Sequence, residues 1–108
     1  MNYTVRITTA AVRDLEEIVA WISEYDLPAA AGHVLDRLLA AAESITALPQ
    51  RGSRPRELPP EIGMELHQVY FKPYRVIYEI VHDQVVIHLI ADGRRNLQSL
   101  LLRRLTDK

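Results

Sequence analysis

The sequence predicts an α+β domain in which a helical hairpin packs on one face of a small, mainly antiparallel sheet. Two patterns support this fold class. Apolar side chains recur at helical spacing through most of the first half, whereas three runs in the second half are rich in β-branched and aromatic residues. The predicted order is β-α-α-β-β-β with a short C-terminal helix. A chain of 108 residues, 48% of them hydrophobic, suits a single domain spanning residues 1–108.

The first half of the chain predicts one strand followed by two helices. Residues 3–8 alternate apolar and polar side chains, which is typical of a strand. Thr8 or Thr9 then suits the N-cap of a first helix. The apolar stripe of that helix comprises Val12, Leu15, Val19 and Ile22. Pro28 fits the first turn of a second helix, which Pro49 ends. The predicted buried side of the second helix comprises Ala31, Leu35, Leu38, Ala42 and Ile45. The short linker requires the two helices to run antiparallel.

The second half predicts a loop, a three-stranded meander and a terminal helix. Residues 49–63 hold four of the six prolines and two of the four glycines, which is typical of a loop. The three predicted strands cover residues 64–71, 74–81 and 85–92. The tail that follows places four leucines on one side of a helix: Leu97, Leu100, Leu101 and Leu105. This helix is expected to pack on the open face of the sheet or on a partner.

The middle strand of the meander has two different faces. The better core face comprises Tyr74, Val76, Tyr78 and Ile80. The opposite face mixes charge with apolar bulk and comprises Arg75, Ile77, Glu79 and Val81. A mixed face of this kind indicates either a surface that meets a partner or the place where the terminal helix folds back.

Charge and composition narrow the functional classes. The net charge is −1, but residues 1–50 hold three arginines against seven acidic residues, whereas residues 51–108 hold ten Lys/Arg against seven. An anionic partner is therefore expected on the second half, although the strong positive excess typical of RNA-binding proteins is missing. There are no cysteines, and no apolar stretch approaches the roughly 18 to 20 residues that span a bilayer. These features predict a cytoplasmic protein with no membrane partner.

Arginines are the leading candidates for function. Guanidinium groups bind phosphates in a bidentate manner, and the predicted phosphate-binding or target-binding residues are Arg54, Arg75, Arg94 and Arg95. The alternative is that these arginines pair with the carboxylates of Glu57, Glu61, Glu79 and Asp92, or stay solvated. The four histidines are scattered along the chain. No spacing predicts a metal site, and no motif predicts a cofactor.

Several motifs together resemble the RelE/ParE toxin superfamily of type II toxin–antitoxin modules, over essentially the whole chain. They are the Asp14-Leu15 pair, the run from Ile18 to Trp21, the Leu48-Pro49-x-x-Gly52 exit from the second helix, the strand Tyr74-Arg75-Val76-Ile77-Tyr78, and Gly93-Arg94-Arg95. The resemblance implies a toxin that a cognate antitoxin neutralises. RelE-like members cut mRNA on the ribosome, whereas ParE-like members poison DNA gyrase.

The resemblance also implies where catalytic residues would lie. Arg75 and Arg95 match arginines of the RelE-like pattern, but the tyrosine that assists catalysis falls at about Leu101, which cannot transfer a proton. The lysines that precede the strand arginine in RelE-like enzymes are missing as well. The residues that remain as a substitute acid or base are His67, His88 and Glu79.

The resemblance and these departures favour a ParE-like toxin that acts on DNA gyrase. The first alternative is a RelE-like, ribosome-dependent mRNA endoribonuclease that uses Arg75 and Arg95. The second alternative is a non-toxic chain that still binds its antitoxin.

The antitoxin is expected to form a hetero-oligomer with the chain. The predicted contact residues are Ile18, Trp21, Tyr25, Arg75 and Ile77. The first three extend the stripe of the first helix beyond what the hairpin must bury. The alternative is that Trp21 belongs to the core.

Overall fold

The computed structural model describes residues 3–26, 28–58 and 63–106. The elements in chain order are β1 (Thr4–Ile7), α1 (Thr9–Tyr25), α2 (Pro28–Ala47), a 3-10 turn (Pro49–Arg51), β2 (Leu66–Phe71), β3 (Tyr74–Val81), β4 (Gln84–Asp92) and α3 (Leu97–Thr106). The sheet has the strand order β1-β4-β3-β2, with β1 parallel to β4 and the other neighbours antiparallel. The predicted fold class and element order are confirmed. The first and second strands are each two residues shorter than predicted.

Local sequence signals fix the ends of the helices. The Thr8 side chain caps α1 by accepting a hydrogen bond from the amide of Ala11 at 3.1 Å. Helix α2 ends at Ala47, two residues before Pro49, which opens the 3-10 turn. This turn carries the chain from the hairpin back to the sheet. No helix in the described part of the chain is long and apolar enough to cross a bilayer.

The sheet separates two hydrophobic clusters. The face that α1 and α2 cover, here called the hairpin face, carries the larger cluster, which includes Leu38, Ile45, Val76, Tyr78, Val85 and Ile87. The opposite face, here called the α3 face, carries the smaller cluster: Leu58, Leu66, Ile77, Leu89, Ala91, Leu97 and Leu101. The terminal helix therefore folds back on the open face, as one of the two sequence interpretations predicted. Its partly buried leucines, Leu100 and Leu105, pack against the same cluster.

Strand β4 carries one extra residue, His88, relative to β3. The pair Ile87–Tyr78 is followed directly by the pair Leu89–Ile77, which leaves His88 without a partner residue. A bulge of this kind shifts the alternation of the strand beyond it. The hairpin face therefore includes odd-numbered β4 residues before the bulge and an even-numbered residue after it: Val85, Ile87 and Ile90.

The outer edge of β4 has no partner strand among the described residues beyond the end of β1, which stops opposite Ile87. Asp14 of α1 takes the place of a strand there, because its carboxylate accepts a hydrogen bond from the Ile90 amide at 3.0 Å. The same carboxylate receives two hydrogen bonds from Arg104 of α3, at 2.7 and 2.9 Å. Arg104 also donates to the carbonyl of His88 at 2.7 Å. One carboxylate thus joins α1, β4 and α3.

Candidate functional site

Arg75 lies at the centre of a buried polar cluster on the α3 face. It is only 3% exposed. Its Nη1 and Nη2 donate to the two carboxylate oxygens of Glu57 at 2.7 and 2.9 Å, and its Nε donates to Oε1 of Gln68 at 2.8 Å. Nη2 also contacts Oε1 of Gln68. The amide of Gln68 in turn donates to the hydroxyl of Ser53 at 3.3 Å. The alternative in which Arg75 pairs with Glu57 is therefore confirmed.

The charges of this pair stabilise each other. The hydrogen bonds from Arg75 hold the pKa of Glu57 below its ordinary value, although partial burial acts in the opposite direction. The Glu57 carboxylate likewise raises the pKa of Arg75. Both groups are therefore charged at neutral pH, and the bidentate pair fastens the loop after the 3-10 turn to the middle of the sheet.

Two neighbours restrict the side chain of Arg75 further. Its guanidinium lies 5.6 Å from the centre of the Tyr70 ring, within the range of a cation–π interaction. A Cβ atom at Gly93 would lie 3.1 Å from Cδ of Arg75 and 3.3 Å from the carbonyl oxygen of Pro73. The glycine of the Gly93-Arg94-Arg95 sequence therefore leaves room for the arginine side chain beside the strand end.

Arg94 and Arg95 are neighbours in sequence but have different surroundings. Arg94 donates through Nε and Nη2 to the two carboxylate oxygens of Asp92, at 2.9 and 2.6 Å. These hydrogen bonds hold the pKa of Asp92 below its ordinary value. Arg95 is exposed and lines a cavity together with residues of α1, including Arg13. Arg94 therefore pairs with Asp92, one of the carboxylates in the alternative interpretation, whereas Arg95 is exposed to solvent.

Arg54 stands apart from the other three arginines. It is exposed in the loop before β2, and its Nη1 lies 3.5 Å from the carbonyl oxygen of Met64. Arg54, Arg75 and Arg94 therefore have separate partners, whereas Arg95 is exposed. Glu61, a further carboxylate in the predicted pairing, lies outside the described residues. The joint role of the four arginines in binding a phosphate or a target stays a prediction.

The candidate acid and base residues occur in two pairs. His88 at the β4 bulge lies 2.9 Å from Oε1 of Glu79, and both side chains are about one-fifth exposed, at 19% and 22%. His67 lies 3.2 Å from Oε2 of Glu65 and 2.8 Å from the carbonyl oxygen of Gly52. His67 also stacks on Tyr78 from the hairpin face, with ring centres 5.5 Å apart. The first pair shares the α3 face with Arg75, whereas His67 takes part in packing.

The position that the resemblance assigns to a catalytic tyrosine is buried. Leu101 is one of the core leucines of α3 and packs in the same cluster as Ile77. Ile77 has no exposed surface beneath this helix. Its predicted contact with an antitoxin stays a prediction, and it would require α3 to leave the sheet.

The end of α1 carries an exposed aromatic pair. Trp21 and Tyr25 are 62% and 66% exposed, and their ring centres lie 5.1 Å apart. Ile18, one turn earlier, packs against the core of the hairpin face. The alternative in which Trp21 belongs to the core is therefore wrong, because a two-helix layer on this sheet leaves that side of α1 uncovered.

Two structural connections have no counterpart in the sequence interpretation. Gln68 was not expected to orient Arg75, because a glutamine inside a predicted strand usually faces solvent. The link between Asp14 and Arg104 spans 90 residues of sequence, so local spacing carries no signal for it. Asp14 did appear in a motif of the resemblance, which was the only indication of its importance.

The architecture and the Gly93-Arg94-Arg95 strand exit define the class of protein as a toxin of the RelE/ParE superfamily. Residues 5–97 match the family model described as the ParE toxin of type II toxin–antitoxin systems, parDE. The chain therefore belongs to the ParE toxin family. Toxin RelE1 of Caulobacter vibrioides is 33% identical over 89 residues, which cover 82% of this chain and 95% of that toxin.

Two solved structures share the fold. A chain of the chromosomal ParDE toxin–antitoxin system from P. aeruginosa superposes with a TM-score of 0.70 at 16% identity, covering 83% of this chain and 95% of that chain. A chain of the toxin–antitoxin complex RelBE2 from Mycobacterium tuberculosis gives a TM-score of 0.57 at 28% identity, covering 85% and 99%. The chain is thus similar to proteins named after both branches of the superfamily.

Proposed function

We propose that this chain is a ParE-like toxin that arrests growth through DNA gyrase and is neutralised by a cognate antitoxin. The observation that carries the proposal is the state of Arg75. All three nitrogens of its guanidinium group are engaged by Glu57 and Gln68, and the side chain is buried. An arginine in this state supports the loop and the sheet instead of binding a scissile phosphate.

A ribonuclease that binds RNA through Arg75 would first have to free this side chain from its partners. To bind an RNA phosphate, the guanidinium would have to give up a bidentate carboxylate and leave Glu57 uncompensated. Separating a buried ion pair in this way typically costs about 3–5 kcal/mol. The nearby Leu101 is apolar and buried, so it supplies no proton for a leaving oxygen. Both features support a function other than RNA cleavage.

A gyrase assay with purified components tests the proposal. Micromolar toxin is expected to inhibit supercoiling of a relaxed plasmid by gyrase, or to trap cleaved plasmid. The matched control is the same toxin mixed beforehand with its antitoxin, which should restore supercoiling. If the toxin leaves both reactions unchanged, the gyrase proposal fails.

A RelE-like endoribonuclease is the second candidate, and two observations favour it. Toxin RelE1, which carries the name of that branch, is 33% identical to this chain. In addition, the His88–Glu79 pair lies on the α3 face that also holds Arg75, and Arg95 is exposed. In this candidate, His88 or Glu79 would move the proton and Arg95 would bind the phosphate.

Mapping of mRNA 5′ ends after induction separates the two candidates. New cuts at codons in the ribosomal A site are expected only from the ribonuclease. The variant Glu79→Gln/His88→Asn should abolish such cuts while leaving gyrase inhibition unchanged. An Arg37→Ala variant is the control, because Arg37 is exposed on α2, which covers the opposite face of the sheet. If expression without antitoxin leaves growth unaffected, the third interpretation, a non-toxic antitoxin-binding chain, gains support.

The antitoxin contact is proposed at the exposed aromatic pair of α1. Trp21 and Tyr25 offer adjacent apolar rings that the fold itself does not cover, and Ile18 lies at their base. Trp21→Ala is expected to weaken antitoxin binding about tenfold or more, because a central aromatic residue commonly contributes 2 kcal/mol or more, an order-of-magnitude figure. Leu39→Ala on α2 removes a comparably exposed apolar side chain and serves as the control. Equal affinities of the two variants would place the interface elsewhere.

A further inference from the structure

A groove with an unusual concentration of arginine runs beside the first two turns of α1. It consists of two cavities, of about 710 and 290 Å³. Both cavities are lined by Ala10 and Arg13 of α1 and by Arg104 of α3, so they adjoin each other. The groove lies where β1 has ended and the edge of β4 has no partner strand among the described residues.

Four arginines line this groove: Arg6, Arg13, Arg95 and Arg104. Two of them come from the first half of the chain, in which acidic residues outnumber basic ones by seven to three. The charge of the groove is therefore a product of folding, since composition assigns cationic surface to the other half. The acidic residues of its lining are Asp14 and Glu17.

The four arginines have different availability. Arg104 is held by Asp14, which also binds the amide of Ile90, so this pair supports the wall of the groove. In contrast, Arg6 and Arg13 are exposed and form no ion pair within the described residues. Together with Arg95 they present cationic groups from three separate elements. Such an arrangement favours an anionic ligand that extends along the groove.

The remaining lining residues indicate the chemistry of the ligand. Apart from His88, they are short or aliphatic side chains and hydroxyls: Thr8, Thr9, Ala10, Met64, Leu89, Leu100 and Leu105. The ring of His88 is held by Glu79 at 2.9 Å, and the described lining contains no Phe, Tyr or Trp, the rings on which proteins that bind single-stranded nucleic acids typically stack bases. Cationic groups alternating with aliphatic surface fit a peptide that carries both carboxylates and aliphatic side chains.

We propose that this groove docks an acidic, aliphatic segment of the antitoxin, with Arg6, Arg13 and Arg95 as the contact arginines. The inference rests on the proposed pairing with an antitoxin and adds a second surface to the aromatic pair at the other end of α1. It assigns a binding function to Arg6 and Arg13.

Charge reversal tests the proposal. The variant Arg6→Glu/Arg13→Glu is expected to weaken binding of the purified cognate antitoxin at least about tenfold at low salt, and raising the salt should narrow the difference. The variant Arg37→Glu/Arg51→Glu makes the same change of net charge at two exposed arginines that line a different cavity, between α2 and β2. This control should bind as the unchanged chain does. Thermal unfolding monitored by circular dichroism verifies that both variants fold.

The outcomes separate this inference from the function on which it rests. If the unchanged toxin does not bind the antitoxin, the proposed function itself fails. If it binds but both charge-reversal variants bind equally, the groove is not the docking site. A labelled twenty-nucleotide dT oligonucleotide measures the competing ligand class. Binding of that probe that depends on Arg6 and Arg13, combined with unchanged antitoxin affinity, would overturn the proposal in favour of a nucleic-acid groove.

Discussion

The two faces of the sheet use different physical means to bury their residues. The hairpin face buries aliphatic residues under two long helices, and its polar connection is the hydroxyl of Tyr78, which donates to the carbonyl of Pro49 at 2.7 Å. The α3 face has one short helix to cover it, and part of its area is filled by the charged network of Arg75, Glu57 and Gln68. The candidate acid–base pair of His88 and Glu79 lies on this second face, together with Arg75.

The two faces differ in their capacity to bind a partner. Residues beneath two helices are shielded from water, so substitutions among these buried residues alter stability. A face that is half covered needs hydrogen-bonded charges to stay compact, and such groups can be exchanged for those of a partner. The following variants test this difference, from the largest expected effect to the smallest.

Removing Arg75 is expected to have the largest effect. Arg75→Met leaves the Glu57 carboxylate and the Gln68 carbonyl without a partner, and should lower the free energy of unfolding by about 3 kcal/mol. The double variant Arg75→Met/Glu57→Leu should recover most of this loss, because no uncompensated charge remains. Urea unfolding of both variants measures the difference. Equal losses in the single and double variants would show that the pair does not stabilise the α3 face as described.

The hydroxyl of Tyr78 on the hairpin face should contribute less to the free energy of unfolding than Arg75 does. The hydroxyl of Tyr78 donates to Pro49 and accepts from the amide of Gly52 at 3.2 Å, so Tyr78→Phe is expected to cost about 2 kcal/mol. Tyr70→Phe, at a ring that is 54% exposed, is the control and should change the free energy of unfolding by less than about 0.5 kcal/mol. A Tyr78→Phe variant as stable as this control would mean that the hydroxyl is dispensable.

The ion pair between Asp14 and Arg104 should have a local effect on stability. Asp14→Asn removes the negative charge that Arg104 contacts but keeps one acceptor for the amide of Ile90, so a loss of about 1 kcal/mol is expected. Amide hydrogen exchange should increase in α3, while the strands β2 and β3 keep their protection. Glu17→Gln on the same helix is the control. Uniform loss of protection across the molecule would show that Asp14 supports the whole domain.

The two faces should lose stability at opposite ends of the pH scale. The pKa of Glu57 is lowered from an ordinary value of 4.5 by Arg75, so its contribution to stability is complete above that pH and is lost as the pH falls through the lowered pKa. Burial raises the pKa of Tyr78 above 10, so its contribution is complete below pH 10 and is lost as the pH rises through the raised pKa.

Unfolding measured from pH 2 to 11 checks this prediction. Glu57→Gln should flatten the acid side of the curve relative to the unchanged chain, and Tyr78→Phe should flatten the alkaline side. If Glu57→Gln leaves the acid limb unaltered, other carboxylates must dominate the acid response of the α3 face.

Most of the fold was predictable because its signals are local. The helical period, Thr8, Pro28 and Pro49 predicted the hairpin, and turn residues between β-branched runs predicted the meander. Strand β3 matches its predicted range of residues 74–81. The bulge at His88 was not predictable, because the run containing it is apolar on both sides and gives no alternation that could reveal a shift.

The candidate site was predictable only in part. The sequence identified Arg75, Arg94 and Arg95, and it identified Glu57 and Asp92 as alternative partners. It could not decide whether these arginines are paired, because pairing depends on which loop folds over which strand. The sequence also left Arg6 and Arg13 unnoticed, since they are isolated basic residues in the acidic half of the chain.

The sequence by itself therefore determined the element order and the membership of a toxin superfamily, both of which rest on residue type and short spacing. It determined the apolar faces of the helices in part, since Val12 of the predicted α1 stripe is 41% exposed. Only the tertiary structure decided which arginines are available to a ligand. Arg75 pairs with Glu57 of the loop that covers it, whereas Arg13 of α1 and Arg95 of the turn before α3 are far apart in sequence but line one groove. The physical reason is that burial and charge pairing depend on distances in space, and residue spacing along the chain does not encode those distances.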